Sequence, residues 1–290
     1  MKKVLRKILH PLLFLVVDKR TYRGLANISL LKLIAYNVRF KLASKGIYLT
    51  KNEKLFSSLK DKYKGERCFI IGNGPSLNNI DLTKLKDEYT FGVNAIYLNY
   101  EKMNFHPTFY VLEDYAVAED RADEINNYNE AEYKFIGYFL NYVIKDTPKR
   151  ITTNVYISAY EELFTPTFSE NCLEGIGVGG TVSFQCMQLA FYLGFSKVYL
   201  VGFDHNYAIP KEANLERSSV ILSESDDENH FSKEYFGKGY RWHDPKVDRM
   251  EKSYEEAKAH FDAADRKINN ATAGGKLEVF ERVDYNSLFN

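Results

Sequence analysis

Short apolar runs alternate with helix-periodic segments from about residue 66 onward. The segments 67–71, 89–93 and 108–112 each hold consecutive β-compatible residues and stop at a glycine or a polar side chain. Continuous apolar runs of this length are typical of strands that are buried on both faces of a parallel sheet. The pattern therefore predicts an α/β fold with a Rossmann-like, mostly parallel sheet and helices on both faces.

The second half of the chain continues the alternation. Apolar positions at helical spacing predict a helix over 182–193 that ends at Gly194, a typical residue after a helix end, and a strand follows over 197–201. Other segments have less regular patterns: a polar helix or turn over 81–88, an acidic helix over 116–127, an irregular aromatic-rich region over 128–171, a long helix over 246–268 and a last strand over 267–272.

A glycine-rich loop follows the first apolar run and contains Gly72, Asn73, Gly74 and Ser76. Ligands of parallel sheets bind beyond the carboxyl ends of the strands. The two glycines lack a Cβ, so a ligand can approach the backbone, and the two polar side chains add hydrogen-bonding groups. We interpret the loop as nucleotide-binding, with a plain strand-to-helix corner as the alternative. It does not match the dinucleotide fingerprint, because Leu77 stands where the third glycine should be.

A second glycine-rich segment, 175–180, precedes the predicted helix over 182–193. Thr181 can cap this helix, and the free backbone N–H groups of the first turn should point outward. Such a helix start is a favourable place for an anion. We therefore expect Gly179, Gly180 and Thr181 to contact a phosphate, with simple capping as the alternative.

Two further apolar runs end in polar side chains. Asn94 follows the second run, and Glu113 and Asp114 follow the third. Because parallel strands end at one edge of the sheet, we expect these side chains beside the first loop, at a ligand site. The alternative is that they cap helices or start loops.

Three histidines, His205, His230 and His243, lie in predicted loops after the second glycine-rich segment. Histidine is the usual base near neutral pH, so we expect at least one to be catalytic. The chain has neither a G-x-S-x-G elbow nor a P-loop, which leaves hydrolase and kinase templates without support. The adjacent acids 113–114 and 226–227 form no D-x-D, and we expect no metal.

The net charge is zero, with 39 basic and 39 acidic residues, but the charges are unevenly distributed. Residues 1–50 carry 11 Lys and Arg and a single acid, Asp18. Within 28–43, Leu31, Ile34, Ala35, Val38 and Leu42 fall at helical spacing. We predict a basic amphipathic segment over 1–50 that binds an anionic membrane face, with packing on the core or an oligomer contact as the alternatives. Residues 51–290 form the predicted Rossmann-like domain, with a flexible lid near 208–245.

The apolar run over 8–17 is too short to span a bilayer and lacks the small-residue cleavage site of a signal peptide. The three cysteines, Cys68, Cys172 and Cys186, have no paired spacing, which favours a reducing compartment. We therefore expect a cytoplasmic protein, peripheral on the inner face of the plasma membrane, with no nucleic-acid partner.

Several motifs together resemble the bacterial sialyltransferases of glycosyltransferase family 42. They are also similar to the group called domain of unknown function 115, which includes 6-hydroxymethylpterin diphosphokinase-like proteins. The similar segments are the loop over 72–77, Asn94, the start of the helix at 179–181, the strand over 199–204 and the pair at 229–230. The resemblance covers about residues 66–275.

This resemblance implies a variant glycosyltransferase A fold and inverting transfer from a CMP-activated donor, with no metal or other cofactor. Asn73 and Asn94 would hold the nucleotide, Tyr207 would contact the leaving phosphate, and His230 would be the base. The remaining site candidates are His243 as a second catalytic residue, Gly72, Gly74, Ser76, Gly179, Gly180, Thr181 and Asp204 at the nucleotide, and Glu113 and Asp114 at the donor sugar. The acceptor would be a glycan or glycolipid.

The chain departs from the sialyltransferase pattern at two positions. Ala95 follows Asn94 where a polar residue is common, and the segment after Leu112 is acidic where an amide is expected. Two other functions therefore stay open. One is a 6-hydroxymethylpterin diphosphokinase-like enzyme that uses ATP and Mg²⁺, and the other is a nucleotide-binding interaction protein without catalysis.

Overall fold

The computed structural model describes residue 17 and residues 29–156, 166–208 and 220–289. Most of the predicted apolar run over 8–17 and residues 209–219 of the predicted lid lie outside this range. The elements, in chain order, are α1 (Leu30–Ala43), α2 (Lys51–Ser58), β1 (Arg67–Ile71), β2 (Tyr89–Val93), α3 (Tyr100–Met103), β3 (Phe109–Leu112), α4 (Tyr115–Asp120), α5 (Ala122–Asn127), β4 (Tyr133–Gly137), β5 (Arg150–Thr153), β6 (Val155–Tyr156), β7 (Ile176–Gly177), α6 (Val182–Leu193), β8 (Lys197–Val201), β9 (Val220–Leu222), β10 (Arg241–His243), α7 (Val247–Ala263), β11 (Lys267–Asn270) and β12 (Glu281–Arg282).

Eight strands form one parallel sheet in the order β12-β11-β8-β1-β2-β3-β4-β5. Strand β1 lies between β8 and β2, with Ile71 opposite Val201 on one side and Gly92 on the other. The chain runs outward from β1 in both directions, so the strand order reverses at this strand. Open α/β sheets bind their ligands at such a reversal.

Both faces of the sheet are buried. Cys68 and Ile70 point into a core that includes residues of α6 and α7, whereas Phe69 and Ile71 point into a second core that includes Ile125 of α5. Alternate residues of a strand face opposite sides of a sheet, which is why the strand is apolar throughout. The predicted Rossmann-like α/β fold is confirmed.

Strands β4 and β5 lie within the region that was predicted to be irregular. Each contains a buried cation that interrupts its apolar pattern. Lys134 of β4 donates to the carbonyl oxygens of Ile125 and Tyr128 at 2.9 and 2.6 Å, and Arg150 of β5 donates to Ile144 O. Burial, aided by the nearby charge of Arg150, lowers the pKa of Lys134 to about 8. These charges find backbone partners only in the folded chain, so the sequence pattern concealed both strands.

Helix α1 buries a different face from the one that its sequence suggested. Leu33 and Phe40 pack with Val17 and Tyr138 in a small separate core. Of the predicted apolar stripe, Ile34 packs against this core, whereas the side chain of Leu31 is 79% exposed. The helix thus has one apolar face in contact with the domain and exposed apolar residues on another.

The three cysteines are free and fully buried. Burial raises the pKa of each thiol well above its ordinary value. None of the described helices has both the length and the apolar character that a membrane span requires.

Candidate functional site

A cavity of about 620 Å³ lies beyond the carboxyl ends of β1, β2, β3 and β8. The predicted site residues that line it are Gly72, Asn73, Gly74, Asn94, Glu113, Asp114, Gly180, Thr181, Asp204, Tyr207, His230 and His243. Of the predicted set, Ser76 and Gly179 are not among the described lining residues. The sheet topology accounts for this assembly, because neighbouring parallel strands deliver their ends to one edge.

The first glycine loop packs tightly on the loop after β8. A Cβ on Gly74 would lie 1.9 Å from Asp204 Oδ2, and a Cβ on Gly72 would lie 2.5 Å from Gly202 O. Ser76 Oγ donates to Asp204 Oδ2 at 2.7 Å. The close contact between the two loops therefore explains why residues 72 and 74 are glycines. The side chains of Ser76 and Asp204 are hydrogen-bonded to each other.

Two buried amide oxygens of the cavity wall lack partners among the described residues. Asn73 Nδ2 donates to Tyr235 Oη at 2.7 Å and to Val93 O at 3.3 Å, which leaves Asn73 Oδ1 unpaired. Asn94 Oδ1 is also unpaired. Asn94 adopts φ 51°, a left-handed conformation that asparagine tolerates better than most residues. A buried acceptor without a partner is costly, so both oxygens are suited to N–H or O–H donors of a ligand.

Helix α6 begins at the cavity as predicted. Thr181 is its N-cap and its side chain accepts from Ser183 N, while Gly194 ends the helix with φ 97°. The first turn contains no acidic residue. Behind the glycines, Ser253 of α7 donates to Gly179 O at 2.9 Å. The helix start is thus fixed in place, and its remaining N–H groups can hold an anion.

His230 forms a hydrogen-bonded pair with Asp227. The distance from His230 Nδ1 to Asp227 Oδ2 is 2.7 Å, and the imidazole stacks on the Tyr235 ring with centroids 4.2 Å apart. Asp227 also accepts from Asn229 N and Phe236 N at 2.8 and 2.9 Å. Burial alone would raise the pKa of Asp227, but these hydrogen bonds and the His230 ring lower it below its ordinary value.

An ionised carboxylate can only accept hydrogen bonds, so His230 Nδ1 carries the proton of the neutral ring. The other ring nitrogen, Nε2, then has a free lone pair. Since His230 lines the cavity, this pair has the composition of a general base with its orienting carboxylate.

A second pair joins His243 of β10 to Asp114. His243 Nδ1 lies 2.8 Å from Asp114 Oδ2, and Asp114 Oδ1 caps helix α4 by accepting from Ala116 N and Val117 N. Burial alone would lower the pKa of His243, but the hydrogen bond and the charge of Asp114 raise it. This pair also attaches the β9–β10 hairpin to α4, next to the contacts of Arg241 with Asp120.

Glu113 and Tyr207 are the remaining titratable candidates in the wall. Glu113 Oε2 is buried and has no partner among the described residues. Burial, with the adjacent Asp114 charge, raises the pKa of Glu113 to about 8. Burial, with the charge of Asp204, raises the pKa of Tyr207 to about 12. Both shifts favour the neutral form near pH 7, and in that form each group can donate a hydrogen bond.

His205, by contrast, is paired at the cavity edge. Its Nε2 lies 3.3 Å from Glu251 Oε1 of α7, and its backbone has φ 51°. Of the three predicted histidines, His230 therefore has a buried carboxylate partner, His243 has a partly buried one, and His205 has an exposed one.

Asp227 and Tyr235 both contact His230, and the sequence patterns did not predict either contact. The sequence presents Asp227 as half of an acidic pair for a metal, although its spacing of three residues from His230 is a usable signal. No sequence pattern indicated Tyr235. Its ring stacks on His230, and its hydroxyl accepts from Asn73, which is 162 residues away in the sequence.

No curated protein matches the chain. Among solved structures, the sialyltransferase CstII from Campylobacter jejuni, in complex with the substrate analogue cytidine-5'-monophosphate, is 17% identical, covering 78% of this chain and 87% of that one, with a TM-score of 0.43. A mammalian sialyltransferase in complex with Gal-beta-1-3GalNAc-ortho-nitrophenol is 10% identical. The match covers 91% of this chain and 95% of that one, with a TM-score of 0.35.

A family model, described as 6-hydroxymethylpterin diphosphokinase MptE-like, matches residues 47–210, which is more than half of the chain. The match includes both glycine-rich segments and the strand ends between them. It confirms the second of the two groups that the sequence motifs resemble. The chain belongs to the MptE-like family.

Proposed function

We propose that the protein is an inverting glycosyltransferase that moves a sugar from a CMP-activated donor to a hydroxyl group of a glycan or lipid-linked acceptor. The observation that carries the proposal is the His230–Asp227 pair in the wall of the cavity. It supplies a base for a hydroxyl nucleophile, beside a helix start that can hold the phosphate of the leaving nucleotide.

In the proposed reaction, His230 Nε2 removes the proton of the acceptor hydroxyl as its oxygen attacks the anomeric carbon. The bond from that carbon to the phosphate oxygen breaks, and its electron pair leaves with CMP. The N–H groups at the start of α6 and the Tyr207 hydroxyl stabilise the charge that develops on the phosphate. Attack from the face opposite the leaving group inverts the anomeric centre.

The unpaired amide oxygens of Asn73 and Asn94 support a bound nucleotide whose nucleobase has an amino group. The exocyclic amine of cytosine offers two N–H donors, and such donors would pair oxygens that are otherwise buried without partners. In this proposal, Glu113 and Asp114 lie at the donor sugar, and His243 assists through its contact with Asp114.

Two carboxylates of the cavity, Asp204 and Asp114, are already engaged by protein groups, which supports a reaction without a protein-bound cation. Asp204 accepts from Ser76, Asp114 binds His243 and caps α4, and the described residues contain no group of three or more His, Cys, Asp or Glu that could hold a metal. A CMP-sugar has a single phosphate, whose charge amide and hydroxyl donors can stabilise.

The name of the matched family is the basis for a second candidate, a diphosphokinase that transfers a diphosphate from ATP to a hydroxymethyl group. That reaction also needs a base for a hydroxyl nucleophile, so His230 would keep its role. Mg²⁺ would then be bound chiefly through the phosphates of ATP, because the described carboxylates do not form a cluster for it.

Calorimetry separates the two candidates. Binding of CMP that does not change with EDTA supports the glycosyltransferase, and binding of ATP only with MgCl₂ supports the diphosphokinase. Turnover is then measured with the selected donor for His230→Gln and for His260→Gln, a matched control on α7 that contacts Glu170 outside the cavity. Full transfer by His230→Gln would contradict the mechanism, and binding of neither nucleotide would favour a non-catalytic interaction protein.

We also propose that α1 and the basic residues around it hold the protein on an anionic cytoplasmic membrane face. The exposed side chain of Leu31 and the exposed Lys32 and Lys41 support this location. Apolar side chains can enter the lipid boundary while lysines bind anionic head groups. The alternative is that the same residues contact a second copy of the chain.

A further inference from the structure

Glu113 is a partly buried residue whose carboxyl group the proposed mechanism leaves without a defined chemical task. It follows Leu112, the last residue of β3, and lines the cavity with Asn73 of the first loop and Asn94 after β2. Its Oε2 atom is buried and unpaired among the described residues. All three side chains thus have a buried oxygen that a substrate could bind.

The neighbours of Glu113 do not neutralise a negative charge. Asp114, on the same segment, is itself an acid, and its oxygens bind His243 and the start of α4. Across from the strand, Cys186 of helix α6 interacts electrostatically with Glu113, and burial raises the pKa of that thiol well above its ordinary value. No Lys, Arg or His side chain among the described residues forms a hydrogen bond or an ion pair with Glu113. A charge at this position would be both desolvated and repelled by Asp114.

We propose that Glu113 binds the donor substrate as a neutral carboxylic acid, donating a hydrogen bond to an acceptor atom such as a carbonyl oxygen or an unprotonated ring nitrogen. This inference rests on the proposed function, because it places a nucleotide donor in the cavity. A neutral acid at this position avoids repulsion of the donor phosphate, which a carboxylate would cause. The cavity wall would then hold a neutral acid at the end of β3 and the His230 base on the later segment.

The inference predicts a loss of donor affinity at alkaline pH. Burial and the Asp114 charge raise the pKa of Glu113 to about 8. The hydrogen-bond donor is therefore present below this pH and is lost as the pH rises through it. For a group with this pKa, the protonated fraction falls about tenfold between pH 7 and pH 9, and the affinity should fall by about the same factor.

The first experiment measures the pKa of the Glu113 carboxyl group directly. The intact protein, labelled with ¹³C at the glutamate carboxyl carbon, is titrated by NMR between pH 4 and pH 10, and the Glu113 signal is assigned by its absence from the Glu113→Gln variant. We expect a midpoint near 8. A midpoint near the ordinary glutamate value of about 4.3 would overturn the proposal. This measurement needs no substrate, so it does not depend on the proposed function.

The second experiment measures calorimetric binding of CMP and of CMP-N-acetylneuraminate at pH 7 and pH 9. We expect the wild type to weaken about tenfold for at least one probe, and Glu113→Gln, which keeps a neutral donor, to show no such pH dependence. Glu255→Gln, an exposed position on α7 outside the cavity, is the matched control and should behave as wild type. Equal pH dependence in wild type and Glu113→Gln would refute the role of Glu113. Failure of both probes to bind at either pH would instead refute the proposed function, and the NMR midpoint would still decide the state of Glu113.

Discussion

Replacing Asp227 with asparagine should disable the proposed base while leaving the fold in place. Asp227 Oδ2 accepts from His230 Nδ1 and Phe236 N, and Oδ1 accepts from Asn229 N. Asparagine has the same shape but replaces one accepting oxygen with an NH₂ group. Three donors would then face a side chain that can accept on one side only.

Both orientations of the new amide are unfavourable. If its oxygen faces His230, its NH₂ group meets Asn229 N–H, and one buried donor is left unpaired at a cost of about 1–3 kcal/mol. If its NH₂ group faces His230, the imidazole must accept at Nδ1 and carry its proton on Nε2, where it can no longer take one from a substrate. Loss of a positioned general base lowers a rate by about 10²–10⁴-fold, and we expect a fall in kcat of this size with little change in KM.

The stability difference between wild type and Asp227→Asn should depend on pH. The pKa of Asp227 is lowered in the folded protein, so the carboxylate stabilises the fold above the unfolded pKa of about 3.9. This contribution is lost as the pH falls through the lower folded value. We therefore expect the variant to be less stable than wild type at pH 6 and the difference to shrink below about pH 4.

The assay combines steady-state kinetics at pH 7 with urea unfolding at pH 6 and pH 3.5. The neighbouring Asp226→Asn is the matched control, because Asp226 is exposed and lies 3.7 Å from Lys233 in a surface ion pair. Surface pairs of this kind contribute about 0–1 kcal/mol, and we expect its kinetics to equal those of wild type. If Asp227→Asn kept the wild-type kcat, or if both variants lost activity equally, the assignment of the base would be wrong.

Three further predictions concern the loops and the first helix. Tyr235→Phe removes the hydroxyl that accepts from Asn73 Nδ2 at 2.7 Å, and urea unfolding should show a loss of about 1–3 kcal/mol together with weaker nucleotide binding. Gly74→Ala places a Cβ 1.9 Å from Asp204 Oδ2, so we expect a loss of about 1–3 kcal/mol or more and no nucleotide binding by calorimetry. Leu31→Glu alters a side chain that is 79% exposed; stability should change by less than about 0.5 kcal/mol, while co-sedimentation with vesicles that contain phosphatidylglycerol should fall.

Each of these predictions has a clear contrary result. Wild-type stability of Tyr235→Phe would show that Asn73 finds another acceptor. Wild-type stability and nucleotide binding of Gly74→Ala would show that the loop moves away from Asp204, since Gly74 has φ −67° and alanine adopts this backbone conformation without strain. Unchanged vesicle binding by Leu31→Glu would argue against a membrane role for α1.

The central sheet could be predicted because its signals are local. Strand β2 runs from Tyr89 to Val93 and α6 from Val182 to Leu193, which are the predicted bounds. Strands β4 and β5 were missed because Lys134 and Arg150 interrupt their apolar runs. The predicted helix over 116–127 divides at Arg121, whose guanidinium donates to the carbonyl oxygens of residues 234 and 235. Such partners are distant in sequence, and no local pattern contains them.

The cavity was predicted well in its walls and less well in its chemistry. Strand ends are fixed by topology, so Asn73, Asn94 and Glu113 could be placed beside one another from sequence. The protonation and partners of these side chains depend on burial and on segments far along the chain. The carboxylate of Asp227 and the unpaired oxygen of Glu113 became visible only in three dimensions.

The buried cysteines give the protein a practical property as a target for chemical labelling. Thiol reagents react with exposed thiolates, whereas Cys68, Cys172 and Cys186 are buried and have raised pKa values. A fluorophore could therefore be attached at Leu222→Cys, where the side chain of β9 is 61% exposed, without first removing any native cysteine. Movement of the β9–β10 hairpin on addition of a nucleotide could then be followed in the otherwise unmodified protein.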